Sequence, residues 1–251
     1  MISENLRKEI GLKMDKLEGN TTYYNQRAKL VKQNLSHLGD IYSFWIENPE
    51  LRHVCLRNKQ ADTIKKLARK GIQSIHNAWY FLKQQGKYGN LIEVLNPEIL
   101  KGVNGLVNGG NKQSTDFRNH NVTLNISGFT PIGWEKVPRE VDKVLSTVKE
   151  RYAEDKIESA IYAHLALGLT QPFGEGNKRT ARLIQDRILH VSGMPPAIIT
   201  AGEGKFYLDL IKRTALAYRE DDKKGQVQFY DYIASKVNNG LDEILDDLDI
   251  K

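Results

Sequence analysis

The chain has 251 residues, 40% of them hydrophobic and 27% charged, with a net charge of +6 and a pI near 9.2. That length suits one large domain or a core with a helical extension, and no apolar run approaches the roughly 20 residues a membrane span needs. Lys and Arg are scattered among acids rather than massed on one element, which argues against nucleic acid as the primary ligand. The polar start MISENLRKEIGLKMDK lacks the apolar stretch of a secretory signal, and the lone Cys55 can close no internal disulfide, so the expected compartment is the cytoplasm.

Taken in order, the first half predicts helices. Residues 4–18 are charged and helix-permissive, and Glu18-Gly19-Asn20 supplies a stop. Residues 22–48 place Tyr24, Leu30, Val31, Leu35, Leu38, Ile41, Phe44 and Trp45 at spacings near three and four. Residues 59–85 repeat the habit through Ile64, Leu67, Ile72, Ile75, Trp79 and Phe81. Such stripes mark core faces rather than ligand sites. A glycine-rich stretch, Gly102 to Gly110, is expected to separate this half from the next.

Val122, Leu124 and Ile126 then alternate with Thr123, Asn125 and Ser127, the period of a strand. Ser127-Gly128 can turn the chain, and Phe129 to Ile132 would return as an edge strand because Pro131 lacks a ladder donor. Helices resume near Arg139. Ile157, Ala160, Ile161, His164, Leu165 and Gly168 predict a buried central helix, with His164 a satisfied core residue. The run of Asp and Leu after Asn239 reads as a short acidic helix. The expected division is a helical region 1–88, a core 89–235 and an acidic tail 236–251.

The chemistry lies in Gln171-Pro172-Phe173-Gly174-Glu175-Gly176-Asn177-Lys178-Arg179-Thr180-Ala181-Arg182. Pro172 blocks continuation of the preceding helix. Gly174 and Gly176 let backbone approach a ligand closely, and Asn177 can cap the helix that follows. Helix amino termini favour acids, yet Lys178, Arg179 and Arg182 crowd this one. Three cations there need an anion. Forked donors on Arg179 and Arg182 fit phosphate oxygens, so a polyphosphate ligand is inferred. Glu175 is the one acid in the loop and a natural Mg²⁺ ligand beside phosphates.

This segment resembles the Fic motif, His-Pro-Phe-x-Asp/Glu-Gly-Asn-Gly/Lys-Arg-x-x-Arg, at every specified position but the first. The likeness covers roughly residues 90 to 235, including His164, the hairpin and Phe206-Tyr207. It implies a mainly α Fic-fold helical bundle with a small β-hairpin flap, and transfer of AMP from ATP to a protein Ser, Thr or Tyr hydroxyl. By that resemblance the Gly174–Asn177 amides would hold the α- and β-phosphates, with Lys178 beside them. Glu175 would coordinate Mg²⁺ and Asn177 would steady the α-phosphate. Arg179 would bind the β-phosphate and support the leaving pyrophosphate, while Arg182 would hold the γ-phosphate. The flap, through Val122, Leu124, Ile126 and Phe129, would dock the target protein by strand addition. A homo-oligomer is compatible with the family.

Two departures qualify the expectation. The family's first motif residue is a histidine that takes the proton from the target hydroxyl, and Gln171 stands there instead. An amide is no useful base at neutral pH, so transfer by this chain would be impaired. Relatives with an inhibitory helix carry Ser/Thr-x-x-x-Glu-Gly/Asn, and Glu18-Gly19-Asn20 fits its end, with Met14 in the Ser/Thr place. Glu18 would then pair with Arg182 and restrain the γ-phosphate. Lys178 occurs in a subgroup that phosphorylates its target, but Gly176 and Arg182 favour AMP transfer. The alternatives are a silent nucleotide- or partner-binding module, and removal of AMP by way of the inhibitory glutamate.

Overall fold

The computed structural model describes residues 1–20, 22–39, 61–85, 91–109 and 116–250. It is mainly helical. The helices are α1 (Glu4–Leu17), α2 (Tyr23–Gly39), α3 (Ala61–Gln85), α4 (Leu91–Val94), α5 (Pro97–Val107), α6 (Val137–Glu154), α7 (Lys156–Thr170), α8 (Asn177–Val191), α9 (Gly204–Arg219) and α10 (Lys223–Asp247). Short 3₁₀ turns at Trp134–Lys136 and Ala201–Glu203 precede α6 and α9.

The centre is α7, held between α6 and α8. Nearly every α7 residue from Ile157 to Thr170 is buried, as expected of a helix apolar on all sides. Asp155 starts it, its carboxylate accepting from the Glu158 amide at 2.8 Å. Against it α6 sets Val137, Val141, Val144, Leu145 and Val148, and α8 sets Leu183, Ile184, Ile188 and Leu189, each series spaced at three and four. Around this layer α3 joins α2 to α5, and α10 joins α1 to α9.

Three expectations change. The stretch beginning at Gly102 is not a separator through its first six residues but the body of α5, which Asn96 caps by accepting from the Ile99 amide at 3.0 Å. A Cβ on Gly102 would lie 2.9 Å from the Phe81 ring, so the bare backbone there admits α3. The acidic tail is likewise no separate element. It is the last turns of α10, with Leu241, Ile244 and Leu245 buried. Ile41, Phe44, Trp45, Cys55 and Gly110 lie outside the described residues.

The third correction concerns the flap. No strand pairing forms among the described residues, so 122–132 is an extended arm and return rather than a β-hairpin. Alternation survives as burial, with Val122, Leu124 and Ile126 half-buried and Thr123 and Asn125 exposed. The ladder fails because its polar groups are engaged elsewhere. The Ile126 amide donates to Leu124 O at 2.7 Å, and the Phe129 amide donates to Ile126 O at 3.2 Å. Pro131 has no amide hydrogen, and arginine side chains from outside the arm take two carbonyls: Arg219 donates to Gly128 O at 2.8 Å and Arg118 donates to Ile132 O.

A polar spine crosses the core between α7, α8 and α2. His164 bonds Gln185 at 2.6 Å and the Tyr207 hydroxyl at 2.7 Å, which bears out its expected role as a satisfied core histidine. Asp186 accepts from Asn34 at 2.7 Å, from Gln185 at 3.1 Å and from the Ala197 amide at 3.2 Å. Burial pushes the Asp186 carboxyl up to about 6 and His164 down to about 3. Asp186 therefore holds its proton to higher pH folded than unfolded, so stability from this group falls as pH rises between about 4 and 6. His164 acts oppositely over the range from about 3 to 6.5. Asp186→Asn is expected to steepen the rise in stability from about pH 4 to pH 6, measured by urea unfolding. Identical slopes for parent and variant would contradict a protonated Asp186.

Candidate nucleotide site

The motif loop begins where α7 stops. Gln171 takes the left-handed conformation, φ 50° and ψ 60°, and its amide donates to Leu167 O at 3.2 Å. Pro172 then prevents further helix. Asn177 closes the loop from within: its Oδ1 accepts from the Phe173 amide at 2.8 Å, and its Nδ2 donates to Phe173 O at 2.8 Å and Gln171 Oε1 at 3.1 Å. Asn177 is thus an internal tie rather than the expected cap. Gly176, at φ 73°, occupies the cap position of α8.

The loop is also held from outside, by residues that sequence reasoning missed. Asn104, fully buried on α5, donates to Glu175 O at 2.9 Å and to Thr180 Oγ1 at 3.1 Å. Asn108 donates to the same carbonyl at 3.3 Å. A Cβ on Gly176 would sit 2.7 Å from Asn108 Oδ1 at a positive φ, so a side chain there would be strained and would displace the asparagines that hold the loop. Two asparagines four apart, one inside α5 where Asn is a poor former and one at its carboxyl cap, were the available signal.

Arg118 is the second omission. It is 4% exposed, and its Nε donates to Gln171 O at 2.7 Å, its Nη1 to His120 O at 2.8 Å and its Nη2 to Ile132 O. Its amide also donates to Pro172 O at 2.9 Å. One side chain therefore fastens the extended arm to the start of the motif. Burial lowers the guanidinium from its ordinary value.

Around this frame the cations gather as expected. The first turn of α8 carries no acid. Lys178 and Arg179 are half-buried and Arg182 is buried. Arg179 donates to Asn108 Oδ1 at 3.2 Å and Val107 O at 3.4 Å, two of its five donors. The Arg182 guanidinium lies 6.0 Å above the Tyr207 ring, with Nε donating to Lys178 O at 3.4 Å. Gly174 and Glu175 are exposed at the tip of the loop, close in sequence to the three cations. A loop with these donors fits polyphosphate, and Glu175 is a sufficient protein ligand for a cation that phosphates also bind.

Beside Lys178 a cavity of about 330 Å³ is lined by Leu124, Ile126, His164, Gly168, Tyr207 and Ile211. It is large enough and apolar enough to take a nucleoside. Leu124 and Ile126 thus wall this cavity, whereas Phe129 faces a different hollow with Tyr162 and Tyr218. Val122 lines neither.

Glu18 is not brought to Arg182. It lines a hollow with Met14, Tyr23, Arg27 and Gly193, past the carboxyl end of α8. Nine residues of α8 separate Arg182 from Val191, about 14 Å along the axis. The pattern that Glu18 meets in part is met in full by Ser43-Phe44-Trp45-Ile46-Glu47-Asn48, outside the described residues. Helix α2 runs antiparallel to α8, Arg27 lying by Gly193 and Asn34 bonding Asp186, so it carries the chain toward the Asn177 end.

Comparison with known proteins agrees with this geometry. Residues 91–189 match the model of the Fic/DOC family. Over 76 residues the chain is 38% identical to protein adenylyltransferase fic-1 of Caenorhabditis briggsae and 37% identical to that of Caenorhabditis elegans. Each match takes in 30% of this chain and only 15% of the relative. The fold resembles Fic-1 from C. elegans with a TM-score of 0.67 at 19% identity, over 97% of this chain and 72% of that one. It resembles a Fic-domain-containing signalling protein from Bacteroides thetaiotaomicron with a TM-score of 0.70 at 14% identity, over 96% of both chains. The chain thus has the mainly helical Fic fold.

Arg118→Met should cost about 2–4 kcal/mol in denaturant unfolding, because buried carbonyls lose their donor. Unchanged stability would show that the clamp is dispensable.

Proposed function

We propose that the chain is a Fic-type nucleotide-binding domain of the AMP-transferring kind, with transfer held back by Gln171. The carrying observation is the geometry at that residue. Its amide is bonded at both ends, Nε2 donating to Gly168 O and Oε1 accepting from Asn177, and neither atom is a base at neutral pH. The cationic helix terminus, the glycine cradle and the adjoining apolar cavity support nucleotide binding independently of that defect.

In the transfer reaction a target hydroxyl oxygen bonds to the α-phosphorus of ATP, the bond to the β-phosphate oxygen breaks and pyrophosphate leaves. Mg²⁺, held by Glu175 and the phosphates, would neutralise charge on the leaving group. The loop amides orient the α- and β-phosphates, Arg179 meets the charge developing on pyrophosphate, and Arg182 seats the γ-phosphate. The cavity walled by Leu124, Ile126 and Tyr207 receives the nucleoside. The extended backbone at Val122 and Thr123, ahead of the Leu124 carbonyl that already accepts from the Ile126 amide, offers an edge for a target segment. The hydroxyl proton is the missing step, because nothing at position 171 accepts it.

The separation of Glu18 from Arg182 favours Glu47 as the restraining glutamate, in keeping with the direction of α2. Transfer of α-phosphate label from ATP tests both points. Gln171→His should raise labelling by roughly 10²–10⁴-fold, the usual worth of a positioned base. Adding Glu47→Gly should raise it further, and adding Glu18→Gly should not. ATP binding with no labelling in any variant would favour a silent nucleotide-binding module instead.

A further inference from the structure

The carboxyl-terminal half of α8 carries a second set of cations that the motif does not use. Arg187 is 6% exposed and Arg27, from α2, is 9% exposed. The Arg187 guanidinium lies 5.6 Å from the Trp79 ring centre, and that of Arg27 lies 5.4 Å from Tyr23 and 5.3 Å from Tyr24. His190 sets its ring edge-on to Trp79 at 5.5 Å. The Nε atoms of both arginines and Nδ1 of His190 are buried without a hydrogen-bond partner. Among the described residues neither guanidinium has a carboxylate partner.

Aromatic faces accommodate a guanidinium but do not neutralise it. Two buried arginines within reach of each other's charge are costly to fold unless something negative joins them. The cost shows in titration: burial and then the Arg27 charge bring Arg187 down to about 10. Burial, followed by the charges of Arg27, Arg187 and Lys83, brings His190 down to about 4.

From this geometry we infer that Arg27, Arg187 and His190 form a binding site for a phosphate-class oxyanion, either inorganic phosphate or the phosphate of a nucleotide. The two forks come from different helices. A tetrahedral anion offers oxygens to both, whereas a planar carboxylate matches one. Of the three, Arg27 lines an open hollow of about 560 Å³ with Tyr24 and Gly193, the side from which an anion would approach. Asp15 and Glu18 line the same hollow and are both exposed, so an anion reaching Arg27 passes two carboxylates in water. The site is separate from the motif loop, toward the other end of α8.

The test uses the whole chain carrying Arg179→Ala, which weakens phosphate binding at the motif loop. Inorganic phosphate and AMP are titrated separately, with tryptophan fluorescence and melting temperature as readouts. A saturable response is expected, its fluorescence part vanishing in Trp79→Phe while the thermal shift remains. Adding Arg187→Met should weaken binding by at least about tenfold. It should also raise the melting temperature in phosphate-free buffer, since an unneutralised buried charge is removed at similar length. Tighter binding of AMP would identify a nucleotide phosphate, and equal binding would identify the phosphate alone. A response absent with both anions, or unchanged by Arg187→Met, would overturn the inference. So would a lower melting temperature for Arg187→Met with the phosphate shift intact.

Discussion

The side chain of Asn177 bonds both the amide and the carbonyl of Phe173, and through Gln171 Oε1 it reaches the residue that ends α7. That small knot sets the path of the loop, and most of the site follows from it. Because Phe173 is pulled inward and wholly buried, Gly174 and Glu175 are left outside with their backbone toward solvent. Because Gly176 turns left-handed against Asn104 and Asn108, α8 starts directly beside α5, with Arg179 bonded to Asn108 and Lys178 lining the adjoining cavity. A loop tied by its own polar groups does not reorganise when an anion arrives, which is the condition for strong electrostatic binding.

Much of this was legible in the sequence, for reasons that differ by element. The stripes of α6, α7 and α8 follow from the 3.6-residue period, and the conflict between three cations and a helix amino terminus points to an anion without any fold. The flap was misread because alternation reports which side chains face inward, not whether two backbones pair. Val122, Leu124 and Ile126 do face inward, yet Arg118 and Arg219 take carbonyls on the returning arm. Gly102 was misread because a glycine that breaks a helix and one that admits a neighbouring helix look alike until Phe81 is seen beside it.

Arg118, Asn104 and Asn108 escaped notice because their partners are backbone carbonyls distant in sequence. No side-chain pattern encodes such contacts. Glu18 shows the converse error. A short pattern met in part gave a residue whose surroundings belong to the far end of α8. The antiparallel course of α2 explains the separation, since its first residues lie at the carboxyl end of α8, next to Gly193.

The left-handed backbone at position 171 carries one more consequence. Histidine, like Asn and Asp, is among the residues that enter this region more readily than most. The turn is held by the backbone bond to the Leu167 carbonyl and by the Asn177 bonds to Phe173, to which the glutamine amide adds its contacts with Gly168 O and Asn177. In the genetic code the glutamine and histidine codons share their first two bases. Between this chain and one with histidine at position 171 there stands a single third-base substitution.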